Sequence, residues 1–484
     1  MKFSPPLPHT LLHSRWLLPA ALAVALAAGG LAGQVGTTAP GLLLLLGPLG
    51  LGLLGLIFRQ PRAGVVAYIV YCFALGFTGR HFITEVPMGL GMDALLVLTW
   101  VAAVFQPPGR LQWARLRTDL GGLALAWFGY NLLELGNPAG PSPLGWVYEM
   151  RSTALYWLLA VPLGGLVFHR LRDLRLFLGL VIGISVLGAL YGMKQKFLGL
   201  DAMEQLWLDS GQASTHLIWG KLRVFSFYSE AAQFGASQAH VGLICLILAL
   251  GPFAWWQKLL FAAAALLLFY GMLISGTRGA LFVVVAGLFV YLLLSKQPRV
   301  LVLGLVLAGS AFGVLKYTGI GNSSADVRRL RTSLDPTDPS FQARMRNQAT
   351  LRAHLATKPF GEGVGTIGIW GQTFNADKFI STIPPDSFFV KVWAEYGIVG
   401  FILWFGMMLY ILGKCGGIVW RIRDPQLRQQ LLALTAGYGG ILVCSYGNEV
   451  MNQIPSGMII YFSWVFIFAG PELDKALEAA PARA

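Results

Sequence analysis

The chain has 484 residues, of which 56% are hydrophobic and only 12% are charged. Its mean hydropathy is +0.63 and its formal net charge is +14. A soluble domain needs far more polar surface to cover its exterior, so this composition excludes a soluble globular protein. It predicts a helical protein that crosses a membrane many times.

Apolar stretches of about the length that crosses a bilayer as a helix follow one another through the chain. We therefore expect an all-α, polytopic transmembrane helical bundle of about 12–14 spans. The stretches lie near residues 16–34, 40–58, 64–79, 90–105, 119–136, 152–168, 175–193, 237–252, 256–275, 278–295, 299–316, 386–412, 430–446 and 457–472.

Basic residues occupy every second gap between these stretches. Short gaps rich in Lys and Arg lie on the cytoplasmic side of a membrane. All of the basic gaps share one side if every stretch crosses, which predicts that both termini are cytoplasmic. The gaps carry Lys2 and Arg15; Arg59 and Arg62; Arg110, Arg115 and Arg117; Arg170, Arg172 and Arg175; Lys258; Lys296 and Arg299; and Lys414, Arg421, Arg423 and Arg428.

Two polar segments, 194–236 and 317–385, interrupt the pattern on the opposite, outer side. The chain then divides into helices and short loops (1–316), a large outer loop (317–385), further helices (386–472) and a cytoplasmic tail (473–484). Both polar segments contain several arginines, against the trend for outer loops. A cationic outer loop is suited to an anionic substrate. The alternative is a solvated surface with its own salt bridges.

The large outer loop should contain one amphipathic helix over 339–357, which ends at Pro359 and Gly361. The Gly-rich turn that follows, 358–365, can offer backbone N–H groups to an anion. Apolar residues and arginines alternate along the predicted helix at approximately helical spacing. They are Phe341, Met345, Leu351 and Leu355, with Arg344, Arg346 and Arg352 among them.

Several kinds of site are absent from the sequence pattern. The four cysteines lie in or beside the spans without a C-x-x-C spacing, which argues against a disulfide framework or a metal site. Neither a phosphate-binding loop nor a dinucleotide-binding motif occurs. A basic face of the kind that binds nucleic acid is also missing. We expect no cofactor, no metal and no nucleic acid partner.

Ionisable residues at the edge of a span are costly and are therefore candidates for function. Each has a plainer alternative: Arg278 could anchor to lipid headgroups, Asp386 could be a helix N-cap, and Lys391 could be an ion-pair partner. Glu230 could satisfy local backbone groups, and Arg80 looks like a rim residue. The candidates are Arg223, Glu230, Arg278, Asp386, Lys391, Asn448 and Glu449.

Four motifs follow one another in a recognisable order. An Arg-containing segment precedes a span, and a Ser-x-x-Arg-Gly junction follows at 275–279. A long outer loop leads to Pro-Phe-Gly-Glu-Gly-Val-Gly (359–365), and the next span continues Ala-Glu-Tyr-Gly-Ile-Val-Gly (394–400). Residues 222–400 thereby resemble the superfamily of O-antigen ligases and of O-antigen and exopolysaccharide polymerases.

This resemblance implies a membrane glycosyltransferase whose donor is a glycan on a polyprenyl diphosphate. The activity would serve the cell envelope from the outer, periplasmic face of a bacterial inner membrane. Arg223 and Arg278 match the family's membrane-edge arginines, which hold the diphosphate, and Asp386 matches the polar residue that assists the acceptor. Arg344 matches the arginine that opens the loop helix, and Arg352 begins an Arg-x10-Gly run that ends at Gly363; both are candidates for substrate binding. Glu230 and Lys391 are further candidates for substrate binding.

The sequence departs from the family at one place. Ligases of this family carry His-Asn ahead of the Ala-Glu-Tyr-Gly stretch, whereas this chain has Asp386-Ser387. The departure fits polymerase-like or exopolysaccharide members better than a ligase acting on lipid A core. Polymerase and ligase both stay open, as do the sugar, the linkage and the acceptor.

The chemistry also follows from the residues themselves. Guanidinium groups stay charged and grip phosphate oxygens bidentately, so they can stabilise a diphosphate leaving group without a metal. The alternative is a flippase for the same lipid-linked glycan. A transporter places its polar residues near the membrane midplane and often shows two similar halves. Here the candidates crowd the outer edge and no repeat is found, which favours an enzyme.

Overall fold

The computed structural model describes residues 38–81, 88–218, 220–296 and 339–479, with isolated positions between 302 and 337. The described chain is mostly helical, and its one sheet is an antiparallel pair, Leu217–Ile218 with Lys221–Leu222. The helices are α1 (Thr38–Arg59), α2 (Pro61–His81), α3 (Gly89–Val104), α4 (Asp119–Leu133), α5 (Pro143–Met150), α6 (Tyr156–Val167), α7 (Leu171–Phe197), α8 (Ala202–Trp207), α9 (Ala213–His216), α10 (Ala231–Ala249), α11 (Trp255–Ile274), α12 (Ala280–Leu294), α13 (Pro339–Leu355), α14 (Gly368–Phe374), α15 (Phe388–Arg421), α16 (Pro425–Cys444), α17 (Ser456–Phe468) and α18 (Gly470–Glu478).

The polytopic helical bundle is confirmed. Within the described residues, 6 helices are long and apolar enough to cross a membrane, or 7 if the pair α17 and α18, bent by 46°, is one span. A helix coincides with each predicted stretch except two. The first, 16–34, lies outside the described residues, and so does most of 299–316.

The core of the bundle is built around α10. Nearly all of this helix is buried, including its polar residues Gln233, Gln238 and His240. It packs against α7, α11, α12 and α16. Small residues allow close approach: the Ala436 carbonyl of α16 lies 2.8 Å from where a Cβ on Gly287 of α12 would be. Close packing of small residues is a usual basis for helix association in membranes.

The basic gaps contact one another at one end of the bundle, here called the basic end (59–62, 105–118, 168–173, 250–258, 294–296 and 421–428). Arg62 forms an ion pair with Asp173 at 2.8 Å. Lys296 donates to the Trp420 carbonyl at 2.6 Å, and Arg428 donates to the Leu294 carbonyl at 3.0 Å. Gaps that the sequence assigns to one side therefore meet at one end.

The polar segments meet at the other end, here called the loop end (80–93, 134–155, 198–230, 275–279, 339–387 and 445–455). The predicted loop helix is present as α13. Its residues Leu351 and Leu355 are buried with Ile367, Ile380 and Val390 in a second hydrophobic cluster, separate from the main core. Phe341 remains exposed, so only the second half of the predicted apolar face is buried.

The Gly-rich turn after α13 has a structural role that the sequence did not indicate. Glu362 N–H donates to the Ala394 carbonyl at 3.0 Å, and Gly363 N–H donates to the Glu395 carbonyl at 2.9 Å. These carbonyls are free to accept from the turn because α15 breaks at Gly397, which has φ 64° and ψ −169°. The expectation that this turn offers its N–H groups to an anion is therefore wrong for Glu362 and Gly363.

Candidate active site

Arg223 lies against the junction 275–279, which carries Arg278. Arg223 Nη1 donates to the Thr215 carbonyl at 2.9 Å, and its Nη2 donates to Thr277 Oγ1 at 3.2 Å. Thr277 Oγ1 in turn donates to the Ala231 carbonyl at 2.9 Å, which ties the start of α10 to the junction. The structure thus brings Arg223 beside the residue that precedes Arg278, and both side chains are half-buried.

The turn 445–455 connects this arginine pair with the loop helix. The Asn448 amide lies directly over Gly279, the neighbour of Arg278, where any side chain would collide with it. On the other side, Arg344 Nη1 is 3.6 Å from where a Cβ on Gly447 would lie. Arg278 and Arg344, 66 positions apart in the sequence, therefore flank the same turn.

Asp386 does not cap the helix that follows it. Ser387 is the N-cap of α15, because its hydroxyl accepts a hydrogen bond from Val390 N–H at 3.1 Å. The N-cap interpretation of Asp386 is therefore wrong. The Asp386 carboxylate instead accepts a hydrogen bond from the Asn347 amide at 2.8 Å. Asn347 follows Arg344 by three positions, so both side chains lie on one face of α13, and Asp386 contacts that face through Asn347.

Lys391 lies in a buried ion cluster. Its ammonium is 2.8 Å from a Glu149 carboxylate oxygen and 3.4 Å from one of Glu449. Lys391 and Glu149 are buried, whereas the Glu449 side chain is 24% exposed. Glu449 is therefore more exposed than either Lys391 or Glu149. Glu395, one turn further along α15, is buried as well and accepts a hydrogen bond from Gly365 N–H at 3.0 Å.

The remaining two candidates differ in their positions. Glu230, at the N-cap of α10, accepts a hydrogen bond from the Gln453 amide at 2.9 Å, which links it to the turn 445–455. Arg352 is exposed on α13. It lies eight positions beyond Arg344, about 12 Å along the helix axis at 1.5 Å per residue. Arg352 is thus the candidate farthest from the turn along this helix.

Sequence reasoning placed Arg80 at the rim, and that interpretation is wrong. Arg80 is buried, and its guanidinium donates to the carbonyls of Ser226 and Tyr228, both at 2.6 Å. It also lies over the rings of Trp207 and Phe225, 5.1 Å and 4.8 Å from their centroids. Arg80 therefore fixes the segment that carries Arg223. The sequence shows an arginine at a helix end but not which backbone folds over it.

One group at the loop end has the spacing of metal ligands, which the sequence did not indicate. Single ligand atoms of His81, Asp201 and Glu204 lie within 4.8 Å of one another. Both carboxylates are already paired with the Lys194 ammonium, at 3.3 Å and 2.9 Å. Gln195 adds a hydrogen bond to Glu204 at 2.7 Å. These residues form an ion cluster that links the end of α7 to the segment that follows it.

Residues 263–405 match the family described as O-antigen ligase. The resemblance to the O-antigen ligase superfamily is confirmed. The match covers less than a third of the chain but includes Arg278, Arg344, Asp386 and Lys391. No curated protein matches the chain.

The O-antigen ligase match supports an activity of ligase or polymerase type on surface polysaccharide. It also implies a lipid-linked glycan as partner and a membrane environment. Glu230 and Glu449, which lie at the turn 445–455, are outside the matched stretch, and so is Arg223. Glu149 is outside it too, and the sequence gave no role to this residue. Its only signal was an acidic side chain in a gap at the predicted outer edge.

Proposed function

We propose that the protein is a glycosyltransferase that transfers a polyprenyl-diphosphate-linked glycan to an acceptor hydroxyl, without a metal ion, at the periplasmic face of a bacterial inner membrane. The observation that carries the proposal is the convergence of arginines from separate parts of the chain. Arg223 bonds to the junction that contains Arg278, and Arg344 flanks the same turn.

Breaking a sugar–diphosphate bond leaves negative charge on the diphosphate. Guanidinium groups that are already fixed in place stabilise such charge without reorganisation at the moment of reaction. Arg223 is fixed by three acceptors: the Ser275 and Thr215 carbonyls and the Thr277 hydroxyl. We propose that Arg223 and Arg278 hold the diphosphate, while Arg344 and Arg352 bind the phosphate or glycan further along the loop helix.

The acceptor side of the proposed site lies around Asp386. Its carboxylate is half-buried and held by the Asn347 amide, so it can accept a hydrogen bond from an acceptor hydroxyl. Glu230 and the Lys391–Glu449 pair lie at the turn 445–455, and we propose that they border the place of the acceptor. Since Asp386 replaces the family's His, we propose a polymerase or exopolysaccharide enzyme rather than a ligase acting on lipid A core.

The arrangement supports an enzyme over the alternative, a flippase. Each ion pair found among the described residues has at least one partner in the basic end or the loop end, except Lys414–Asp119, whose Asp119 directly follows the basic segment 105–118. A transporter of a charged lipid-linked substrate would place such groups near the midplane. The charged candidates instead surround a turn at one end of the bundle.

The test is transfer by purified protein in lipid or detergent, with a polyprenyl-diphosphate-linked oligosaccharide as donor. We expect Arg278→Ala to reduce turnover by about 10²–10³-fold, the typical loss of one electrostatic donor. Arg278→Lys should retain only part of the activity, because an ammonium keeps the positive charge but cannot bind two phosphate oxygens at once. Arg110→Ala, an exposed arginine at the basic end, is the control. Wild-type turnover by Arg278→Ala would reduce Arg278 to a headgroup anchor.

The same assay separates the two activities that remain open. Products with longer chains on the polyprenyl carrier identify a polymerase. Products in which the glycan has moved to a different acceptor identify a ligase.

A further inference from the structure

We propose that Glu449 is a catalytic residue, the general base that takes the proton from the acceptor hydroxyl. Lys391 and Glu149 are its positioning residues. The inference rests on the function proposed above and assigns the proton acceptor within that site.

Glu449 is the most accessible carboxylate around Lys391. Three carboxylates surround the Lys391 ammonium: Glu149, Glu395 and Glu449. The side chain of Glu149 is 1% exposed, whereas that of Glu449 is 24% exposed. Glu395 is 0% exposed and already accepts the Gly365 N–H. A base must come within hydrogen-bond reach of the hydroxyl that it deprotonates. Glu449 is the member of this cluster that a substrate can reach.

Glu449 lies between the junction that carries Arg278 and the start of α15. Glu449 follows Asn448, whose amide lies over Gly279 beside Arg278. The Asn448 carbonyl also accepts from Phe388 N–H at 3.4 Å, two positions after Asp386. Glu449 is therefore joined through its immediate neighbour both to the junction that carries the diphosphate arginine and to the start of α15. A base in this reaction has to reach the acceptor hydroxyl, which attacks the sugar carbon that carries the diphosphate.

Lys391 and Glu149 hold the Glu449 carboxylate in one orientation. The Lys391 ammonium holds a Glu449 oxygen at 3.4 Å and is itself held by Glu149 at 2.8 Å. Lys391 extends from α15 and Glu149 from α5, so two helices fix the orientation of one carboxylate. One oxygen of Glu449 faces the ammonium, which leaves the other to face an acceptor hydroxyl.

The charges around Glu449 also suit a base. Burial raises the pKa of Glu449 above its ordinary value, and repulsion from Glu149 and Glu230 adds to this effect, while Lys391 opposes it. A carboxylate with a raised pKa takes up a proton more readily than an ordinary one. The three groups that face Glu449 come from α5, α15 and the N-terminus of α10.

The proposed step balances as follows. The acceptor O–H proton moves to the Glu449 carboxylate as the acceptor oxygen forms a bond to the anomeric carbon of the donor sugar. The bond between that carbon and the diphosphate oxygen breaks, and its electron pair leaves on the diphosphate, beside Arg223 and Arg278. Glu449 then releases its proton to water.

The test compares Glu449→Gln with the full-length wild-type protein and with Asp386→Asn in the same transfer assay, over pH 4 to 9. We expect Glu449→Gln to reduce kcat/KM by about 10²–10⁴-fold, the usual contribution of a general base. In the wild type, kcat/KM should fall as the pH drops through the raised pKa of Glu449, and this acid limb should disappear in Glu449→Gln. Glu478→Gln, an exposed glutamate at the basic end, is the matched control.

A second variant separates catalysis from folding. Glu449→Ala should regain part of its activity when formate is added, because a small carboxylate can occupy the vacated place. The inference is overturned if Glu449→Gln keeps the wild-type rate and pH profile, if formate has no effect on an otherwise folded Glu449→Ala, or if Asp386→Asn is the variant that loses the acid limb. A wild-type protein that transfers no glycan from the diphosphate donor would overturn the proposed function instead.

Discussion

The break in α15 at Gly397 provides a stringent test of how the loop end is held together. Gly397 has φ 64° and ψ −169°, a region that only glycine occupies without strain. A Cβ at this position would collide with the Pro359 carbonyl oxygen and with Gly361 N. Val399 N–H also donates to the Pro359 carbonyl at 3.2 Å. Gly397→Ala should therefore push the Gly-rich turn away from α15.

The magnitude follows from these contacts. Backbone strain in this region costs about 1–3 kcal/mol for a residue with a side chain. Displacing the turn weakens three backbone hydrogen bonds, donated by Glu362, Gly363 and Val399, each worth about 1 kcal/mol. The expected destabilisation is about 2–6 kcal/mol. Transfer activity should fall as well, because the Gly365 N–H that holds Glu395 belongs to the same turn.

Unfolding of the purified protein by SDS in mixed micelles measures the effect. Gly406→Ala in the same helix is the matched control, since nothing lies within 4 Å of its added Cβ. Gly406 has ordinary helical geometry, so this substitution should stabilise by about 0.5–1 kcal/mol. Gly397→Ala should thus lower the stability of the protein, whereas Gly406→Ala in the same helix should raise it. Equal effects, or a neutral Gly397→Ala, would refute the structural account of the break.

Two further predictions concern the metal and the membrane orientation. Turnover should survive excess EDTA, since arginines supply the positive charge; loss of activity that magnesium or manganese restores would point to the His81–Asp201–Glu204 group. Cysteine introduced at Gln372 should be labelled from outside the cell, and cysteine at Gln426 only after the membrane is permeabilised. The four native cysteines are buried and should give little background. The reverse labelling pattern would invert the proposed orientation. Ser323, another position in the predicted outer loop (317–385), lies outside the described residues.

Local pattern was enough to predict the class of the protein and the helices of the bundle. An apolar stretch that must satisfy its own backbone in lipid has one solution, a helix, whatever surrounds it. That the basic gaps share one side was predicted from charge alone, and Arg62 does meet Asp173 from another basic gap. The loop helix was predictable for the same reason, because periodic apolar residues and a Pro-Phe-Gly stop are local signals.

The roles of individual polar residues could not be predicted from the local sequence pattern. Asp386 and Ser387 are adjacent and both can cap a helix, and only the folded backbone shows that Ser387 does so. Arg80 has the sequence environment of a rim residue, yet the segment 226–228 folds over it and accepts hydrogen bonds from both of its terminal guanidinium nitrogens. The partner of a long polar side chain is chosen by which backbone comes near it.

The sequence by itself determined that this chain is a membrane-embedded helical bundle with its unusual charges at one edge, since hydrophobicity and charge act residue by residue. Only the tertiary structure decided which of those charges meet. Glu149, Lys391 and Glu449 are far apart in the chain, and packing of α5, α15 and the turn 445–455 brings them together. A buried lysine needs such partners because an unpaired charge inside the protein is costly. No local pattern names them, because burial is a property of the assembled bundle.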